Sequence, residues 1–270
     1  MNQEIFLKPL YCLPSWMGPS FINTMTNNEI KRIQSLERGK SRREYSQFLI
    51  EGKRLVQAAL EWRAGLDVNY FTDPFRRENT EWIQSIESSD VLYENIPAKQ
   101  LEKISFTKSP SGIVAVCNLP EQQKPDLNQN RWLYLDRIAD PGNMGTILRS
   151  AAWFDLNHVA LSVDCVDPFN PKVVRAGMGA HFGLSIHSNL DLGRFSKTHT
   201  LIGGNHRGAD AASVEIPERC VLVLGSEAHG LSSDSLEMIN QKVAIEKLGF
   251  GESLNVGSAA AILMYLFTNK

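Results

Sequence analysis

Val243-Ala244-Ile245-Glu246-Lys247-Leu248-Gly249-Phe250-Gly251-Glu252-Ser253-Leu254-Asn255, with the run from Val256 to Phe267 behind it, decides how this chain is read. The β-branched opening predicts a strand, and Gly249 and Gly251 break it. Val256-Gly257-Ser258-Ala259-Ala260-Ala261-Ile262-Leu263-Met264-Tyr265-Leu266-Phe267 then predicts a helix. That helix is apolar on every side, and such a helix is expected to be buried all round. It is shorter than the roughly 20 residues that cross a bilayer, so it belongs in a core. Gly257, Ser258 and Ala259 to Ala261 leave room for another backbone to approach its first turns. Ser253 and Asn255 stand at its N-terminus, where unpaired N–H groups and the positive dipole end collect anions and polar ligands. Alone, the stretch is equally a capped core helix after a loop. Two further glycine-rich turns upstream tip the reading.

The 270 residues suit one large domain or two medium ones, and 43% hydrophobic residues supply a real core. A net charge of -2 argues neither for nor against nucleic acid, so the local distribution of charge must be read instead. Cys12, Cys117, Cys165 and Cys220 show no metal-type pairing, and the last three lie in apolar, strand-like runs. They are expected as buried thiols in a reducing cytoplasm. The six histidines have no ligand spacing, so no structural metal is expected.

Residues 1–25, with Pro9, Pro14 and Pro19 and interrupted apolar runs, make a poor signal peptide and are expected as an irregular extension, with Met25 as an alternative start. Between residues 31 and 43 the charge is +5, from Lys31, Arg32, Arg38, Lys40, Arg42 and Arg43 against Glu37. A basic run is by default a solvated face; its sharper reading is a patch that contacts RNA phosphates. From Phe48 to Leu60 a short strand turns into an amphipathic helix. Strands are then expected over 68–71, 90–94 and 112–117, with helices over 79–88 and 98–104. The alternation makes residues 26–118 a compact α/β domain. Residues 119–130, rich in Gln, Asn and Pro, are expected as a linker with few core contacts.

The second domain, 131–270, opens with the strand 132–136, a glycine-rich turn over 140–145 and a helix through 154. A strand over 159–163 follows, then a helix over 172–179, a strand ending at His187 and the strand Thr200–Ile202 with Gly203 and Gly204 after it. Val221–Leu224 is the most hydrophobic strand and ends in Gly225-Ser226-Glu227-Ala228-His229-Gly230-Leu231. Strand–helix alternation predicts a mostly parallel, buried sheet whose ligands sit at the strands' carboxyl ends. The turns at 140–145, 225–230 and 249–255 all follow strands and are expected to meet at one edge. The spacing is not the dinucleotide fingerprint G-x-G-x-x-G, which weighs against a nicotinamide enzyme. Ser226 beside His229 lacks the G-x-S-x-G elbow of a hydrolase.

Taken together, Asn143-x-Gly145-x-x-x-Arg149, Leu224-Gly225-x-Glu227-x-x-Gly230-Leu231 and Ser253-Leu254-Asn255-Val256 resemble the three signature motifs of the SpoU, or TrmH-like, branch of the SPOUT RNA methyltransferases. Residues 26–118 resemble the small ribosomal-protein-like substrate-binding domain often fused in front. The resemblance implies an α/β catalytic domain with a C-terminal trefoil knot. It also implies S-adenosylmethionine as cofactor and a ribose 2′-hydroxyl of RNA as acceptor, with ribosomal RNA favoured over transfer RNA. It places backbone at Gly225, Ile245 and Leu254 around the adenosine, with Gly203, Gly204, Leu224 and Gly230 nearby. Arg149 becomes the catalytic arginine, surrounded by Asn143, Glu227, Ser253 and Asn255. Ser226, Ala228 and Gly257 depart from the usual pattern and touch pocket shape before activity. The rival is a catalytically silent RNA-binding or ribosome-assembly protein of the same fold. The apolar helix 256–267 exceeds what one sheet face needs, so a homodimer that buries it is expected.

Overall fold

The computed structural model describes residues 24–87 and 91–269. The expected extension over 1–25, and Cys12 within it, lies outside them except for Thr24 and Met25.

Two sheets carry the chain. The first has four strands, β1 (Gln47–Glu51), β2 (Leu66–Phe71), β3 (Leu92–Asn95) and β4 (Ile113–Asn118), in the order β1-β4-β2-β3. β4 runs antiparallel to β1 and β2, while β2 and β3 are parallel, so this is a mixed sheet. Around it lie α1 (Asn27–Ser35), α2 (Gly39–Tyr45), α3 (Lys53–Glu61), α4 (Asp73–Glu78), α5 (Thr80–Glu87) and α6 (Ala98–Ile104). Strand β4 is buried on both faces: Ile113, Ala115 and Cys117 pack toward α3, and Val114 and Val116 toward α1 and α6.

The second sheet has six strands, all parallel: β5 (Arg131–Asp136), β6 (His158–Leu161), β7 (Ser185–His187), β8 (Thr200–Asp210), β9 (Cys220–Gly225) and β10 (Gln241–Ala244), in the order β10-β8-β9-β5-β6-β7. Buried on both faces, β9 reads as an uninterrupted apolar run. Helices α7 (Pro141–Trp153), α8 (Pro171–Gly177) and α10 (Val256–Thr268) pack together on one side, and α9 (Ser233–Met238) lies on the other.

Three expectations are corrected, at α7, β8 and α10. The glycine-rich stretch 141–145 is the first turn of α7: Asp140 caps it by accepting from the Asn143 amide (2.8 Å), and Pro141 fits the first helical position. Gly145 sits inside the helix because a Cβ there would lie 2.4 Å from Ala176 and 2.6 Å from the Val173 carbonyl of α8. Strand β8 does not end at Ile202; its pairing with β10 jumps from Gly203 to Ala209, leaving residues 204–208 outside the ladder. Segment 119–130 has no helix, no strand and no buried residue, and a few bonds hold it to the second domain. Arg219 Nη2 donates to the Leu127 carbonyl (2.7 Å), the His199 ring meets that of Gln129 (2.7 Å), and Asn130 donates to Glu218 (3.0 Å). Finally, α10 is buried only along Gly257, Ala260, Leu263, Met264 and Phe267. Ile262 and Tyr265 are exposed, because α7 and the sheet cover one side of the helix only.

The domains meet through β1 and α8. Phe48 packs on Phe169, Val174 of α8 enters the core of the first domain, and Trp62 lies against Gly183. Arg42 bonds Asp167 from across the interface and also donates to the Leu36 and Glu37 carbonyls. No helix among the described residues is long and apolar enough to cross a membrane. Among them no group of three His, Cys, Asp or Glu could hold a metal ion.

Candidate active site

The carboxyl ends of β5, β9 and β10 each release a loop, and side chains join the three. Asn143, in the first turn of α7, donates through Nδ2 to Glu227 Oε1 on the loop after β9. Its Oδ1 accepts from Asn255 Nδ2 at 2.8 Å. Asn255 is also the N-cap of α10, its Oδ1 accepting from the amides of Gly257 (2.8 Å) and Ser258 (3.3 Å). One amide thus caps a helix and orients a second amide, which in turn holds a carboxylate. Each of these bonds fixes which face of Asn143 and Glu227 stays available at the surface.

Backbone closeness makes the rest of the frame. Ser226 and Gly230 exchange amide–carbonyl bonds (3.0 and 2.8 Å), folding 226–230 into a tight turn with Gly230 at φ +64°. A Cβ on Gly225 would sit 2.1 Å from the Gly230 carbonyl carbon, so only glycine lets the strand end pass under that turn. The turn is anchored from below by the buried carboxylate of Asp136, which accepts from the Ser232 amide at 2.6 Å. Gly203 packs under Leu231 and Ile239, and Gly204 under Leu224 and Leu263. Gly203, Gly204, Leu224, Gly225 and Gly230 are therefore brought together. Ile245 packs partly against the core, whereas Ser253 and Leu254 stand exposed on the loop before α10.

Arg149 is placed differently. It is exposed, and no described residue bonds or pairs with it. With Thr146 and the largely exposed Trp153 it forms one stripe of α7, about 9 Å along the axis from Asn143. Thr146 lies against Gly257 on the covered side of α10, and Phe154, next to Trp153, meets the exposed Tyr265 ring (centroids 6.0 Å), so the end of this stripe adjoins the uncovered side.

Of the basic segment, Lys31, Arg38, Lys40 and Arg43 are exposed. Arg42 is not available to a phosphate: it is buried and committed to Asp167 and two carbonyls, which corrects its assignment to RNA. Arg32 is half-buried and donates to Gln47. Burial raises the thiols of Cys117, Cys165 and Cys220, so none of them is a ready nucleophile at neutral pH. Asp136 and Asp140 were not singled out from sequence; an acidic residue closing a strand and another before Pro141 are the signals that mark them.

Two clefts lie away from these loops. One of about 410 Å³ opens near Arg131, Asn157 and His158. Another of about 470 Å³ opens between Arg43, the segment 119–123 and β7.

A six-stranded parallel sheet with helix N-termini and glycine turns gathered at its carboxyl edge defines an α/β protein whose ligand site lies at that edge. Residues 130–265 match the SpoU rRNA Methylase family, and residues 27–115 match the MRM3-like substrate binding domain. The chain belongs to the SpoU family, as an RNA ribose 2′-O-methyltransferase. It is 30% identical over 251 residues to an uncharacterized tRNA/rRNA methyltransferase of Synechocystis, covering 90% of this chain and 92% of that one. It is 29% identical over 249 residues to the 23S rRNA (guanosine(2553)-2′-O)-methyltransferase RlmP of Bacillus subtilis, covering 90% and 97%. A TrmH-family protein from Porphyromonas gingivalis superposes with a TM-score of 0.81 at 29% identity, over 92% of this chain and 99% of that one. An AdoMet-bound rRNA methyltransferase from Sinorhizobium meliloti shares the fold, with a TM-score of 0.77 at 24% identity over 92% and 97%. Membership in the SpoU family implies the trefoil knot.

Proposed function

We propose that the chain methylates a ribose 2′-hydroxyl of ribosomal RNA, in the 23S molecule, using S-adenosylmethionine in the cytoplasm. The observation that carries this reading is the bond chain Glu227–Asn143–Asn255, which ties all three motifs into one edge. The Bacillus relative acts on 23S rRNA by its name, and the front domain matches a substrate-binding domain; both favour ribosomal RNA. The Synechocystis relative's name keeps transfer RNA as the second reading.

The edge suits the donor: the backbone at the strand ends (Gly225, Ile245) and on the loop before α10 (Leu254) offers amides and carbonyls to a purine. Leu254 adds apolar surface, and the exposed Glu227 carboxylate offers a negative partner to a cation. When bound, S-adenosylmethionine supplies an electrophilic methyl. The chain's own part is to hold an oxygen nucleophile in line, and positioning of that kind is worth roughly 7–11 kcal/mol. Arg149 stabilises the developing alkoxide and anchors the neighbouring phosphate, a contribution of about 3 kcal/mol. A guanidinium is a poor base at neutral pH, so Arg149 acts by its charge and the hydroxyl proton leaves to solvent water.

Two copies pair through the α7–α10 face. Trp153, Ile262 and Tyr265 are an apolar surface that one chain leaves in water, and Arg149 stands on the same face. Mapping ribose methylation in RNA from cells with and without the protein tests the assignment. A lost methyl in 23S RNA is expected; an unchanged map refutes it, and a lost methyl in transfer RNA selects the second reading.

A further inference from the structure

The loop after β10 carries a side chain that the reading above does not use. Residues 246–254 are all exposed, and no hydrogen bond to the described residues holds them. The loop is fixed only at its ends: the Ala244 carbonyl accepts from the Ala211 amide (2.8 Å), and Asn255 caps α10 and bonds Asn143. At its tip Phe250 is fully exposed, flanked by Gly249 and by Gly251 at φ +113°. Neither glycine has a neighbour within 4 Å of a Cβ built on it, so the tip can swing without collision. Over 137–145, 225–231 and 245–255, Phe250 is the one phenyl, phenol or indole side chain. It lies five positions before Asn255, so it is tethered within about 17 Å of the amide chain.

Proteins that recognise particular RNA sites act mostly on single-stranded segments whose bases are splayed out of the stack. The unstacked base then needs a flat apolar surface. From these observations we infer that Phe250 stacks on the nucleobase at or beside the acceptor ribose and is an affinity-determining residue of the RNA site. The inference rests on the methyltransferase reading. A phenyl ring suits any base, so Phe250 governs how firmly the nucleotide is held, and other groups choose which base it is.

The test uses the full chain, tritiated S-adenosylmethionine, and ribosomal RNA extracted from cells lacking the protein. Wild type is compared with Phe250→Ala, Phe250→Leu and Phe250→Trp, and donor affinity is measured separately by calorimetry. The alanine variant is expected to raise the KM for RNA roughly tenfold, as loss of one base–aromatic stack does. Tryptophan should restore it and leucine should not, with donor affinity, melting temperature and oligomeric state unchanged. An unaltered KM in the alanine variant, or a leucine variant equal to wild type, overturns the inference. So does a loss of donor affinity that parallels the KM, which would make the ring a cover for the donor, or a change in oligomeric state, which would make it an interface contact. Wild-type chain that methylates no RNA brings down the parent reading and this one with it, whereas active wild type with an indifferent Phe250→Ala variant brings down this one alone.

Discussion

Asn255 Nδ2 lies 2.8 Å from Asn143 Oδ1, across 112 residues of sequence, and this contact fastens the N-terminus of α10 to the first turn of α7. Because Asn255 also caps α10, its replacement by alanine removes two functions at once. Asn255→Ala should lower stability by about 1 kcal/mol through the lost cap. It should also lower activity far more than stability, since Asn143 then loses a partner. In a double-mutant cycle, Asn143→Ala and Asn255→Ala should be strongly non-additive in kcat/KM; simple additivity would show that the two amides act independently.

Arg149→Ala should abolish turnover while donor affinity and melting temperature stay at wild-type values, because the side chain is exposed and bonds no described residue. Near-normal methylation in a quantitative filter assay rules out its proposed role.

Charge placed on the uncovered side of α10 tests the pairing of two copies. Tyr265→Arg with Trp153→Asp should convert a dimer into a monomer by light scattering at micromolar concentration, with little cost to the folded chain because both side chains are exposed. Wild type that is already monomeric there removes the proposal.

Asp167→Ala leaves the Arg42 guanidinium buried without its carboxylate, a change that typically costs about 3 kcal/mol or more. The partner is about one-third exposed, so water entering the gap should keep the loss near the low end. Replacing both residues with an apolar pair should recover much of it, as read by urea denaturation.

His181 supplies a pH signature. Its ring is buried between α8 and the domain interface, with Nε2 2.7 Å from the Pro168 carbonyl, and burial lowers its pKa to about 4. The unfolded ring binds a proton near its ordinary value while the folded one does not. Stability should therefore be flat above about pH 6.5 and fall as the pH drops toward 4, by roughly 2 kcal/mol at pH 5. The melting temperature of His181→Gln should fall less between pH 7 and pH 5; an equal fall in both proteins assigns the effect to other groups.

Much of this was written locally. Helix α6 occupies the residues its periodicity predicts, and β9 declares itself by an apolar run buried on both faces. The start of α7 is hidden because Gly142 and Gly145 look like turn residues until Asp140 and Pro141 are read as a cap and a first helical position. Strand β8 was cut short because Gly203 and Gly204 hide a ladder that resumes at Ala209. Arg42 looked like its basic neighbours because its partner lies 125 residues away. The uncovered side of α10 is legible in the sequence, because a helix apolar all round carries more apolar surface than one sheet face can cover.

The short segment from Leu119 to Asn130 is stitched to the catalytic half by Arg219, His199 and Glu218, while Arg42 and Phe48 lock the front half to the loop before α8. With both routes between the halves fastened, the molecule works as a ruler. The distance from the front domain to the Glu227–Asn143–Asn255 edge is set by solid contacts, which makes that spacing a property of the fold itself.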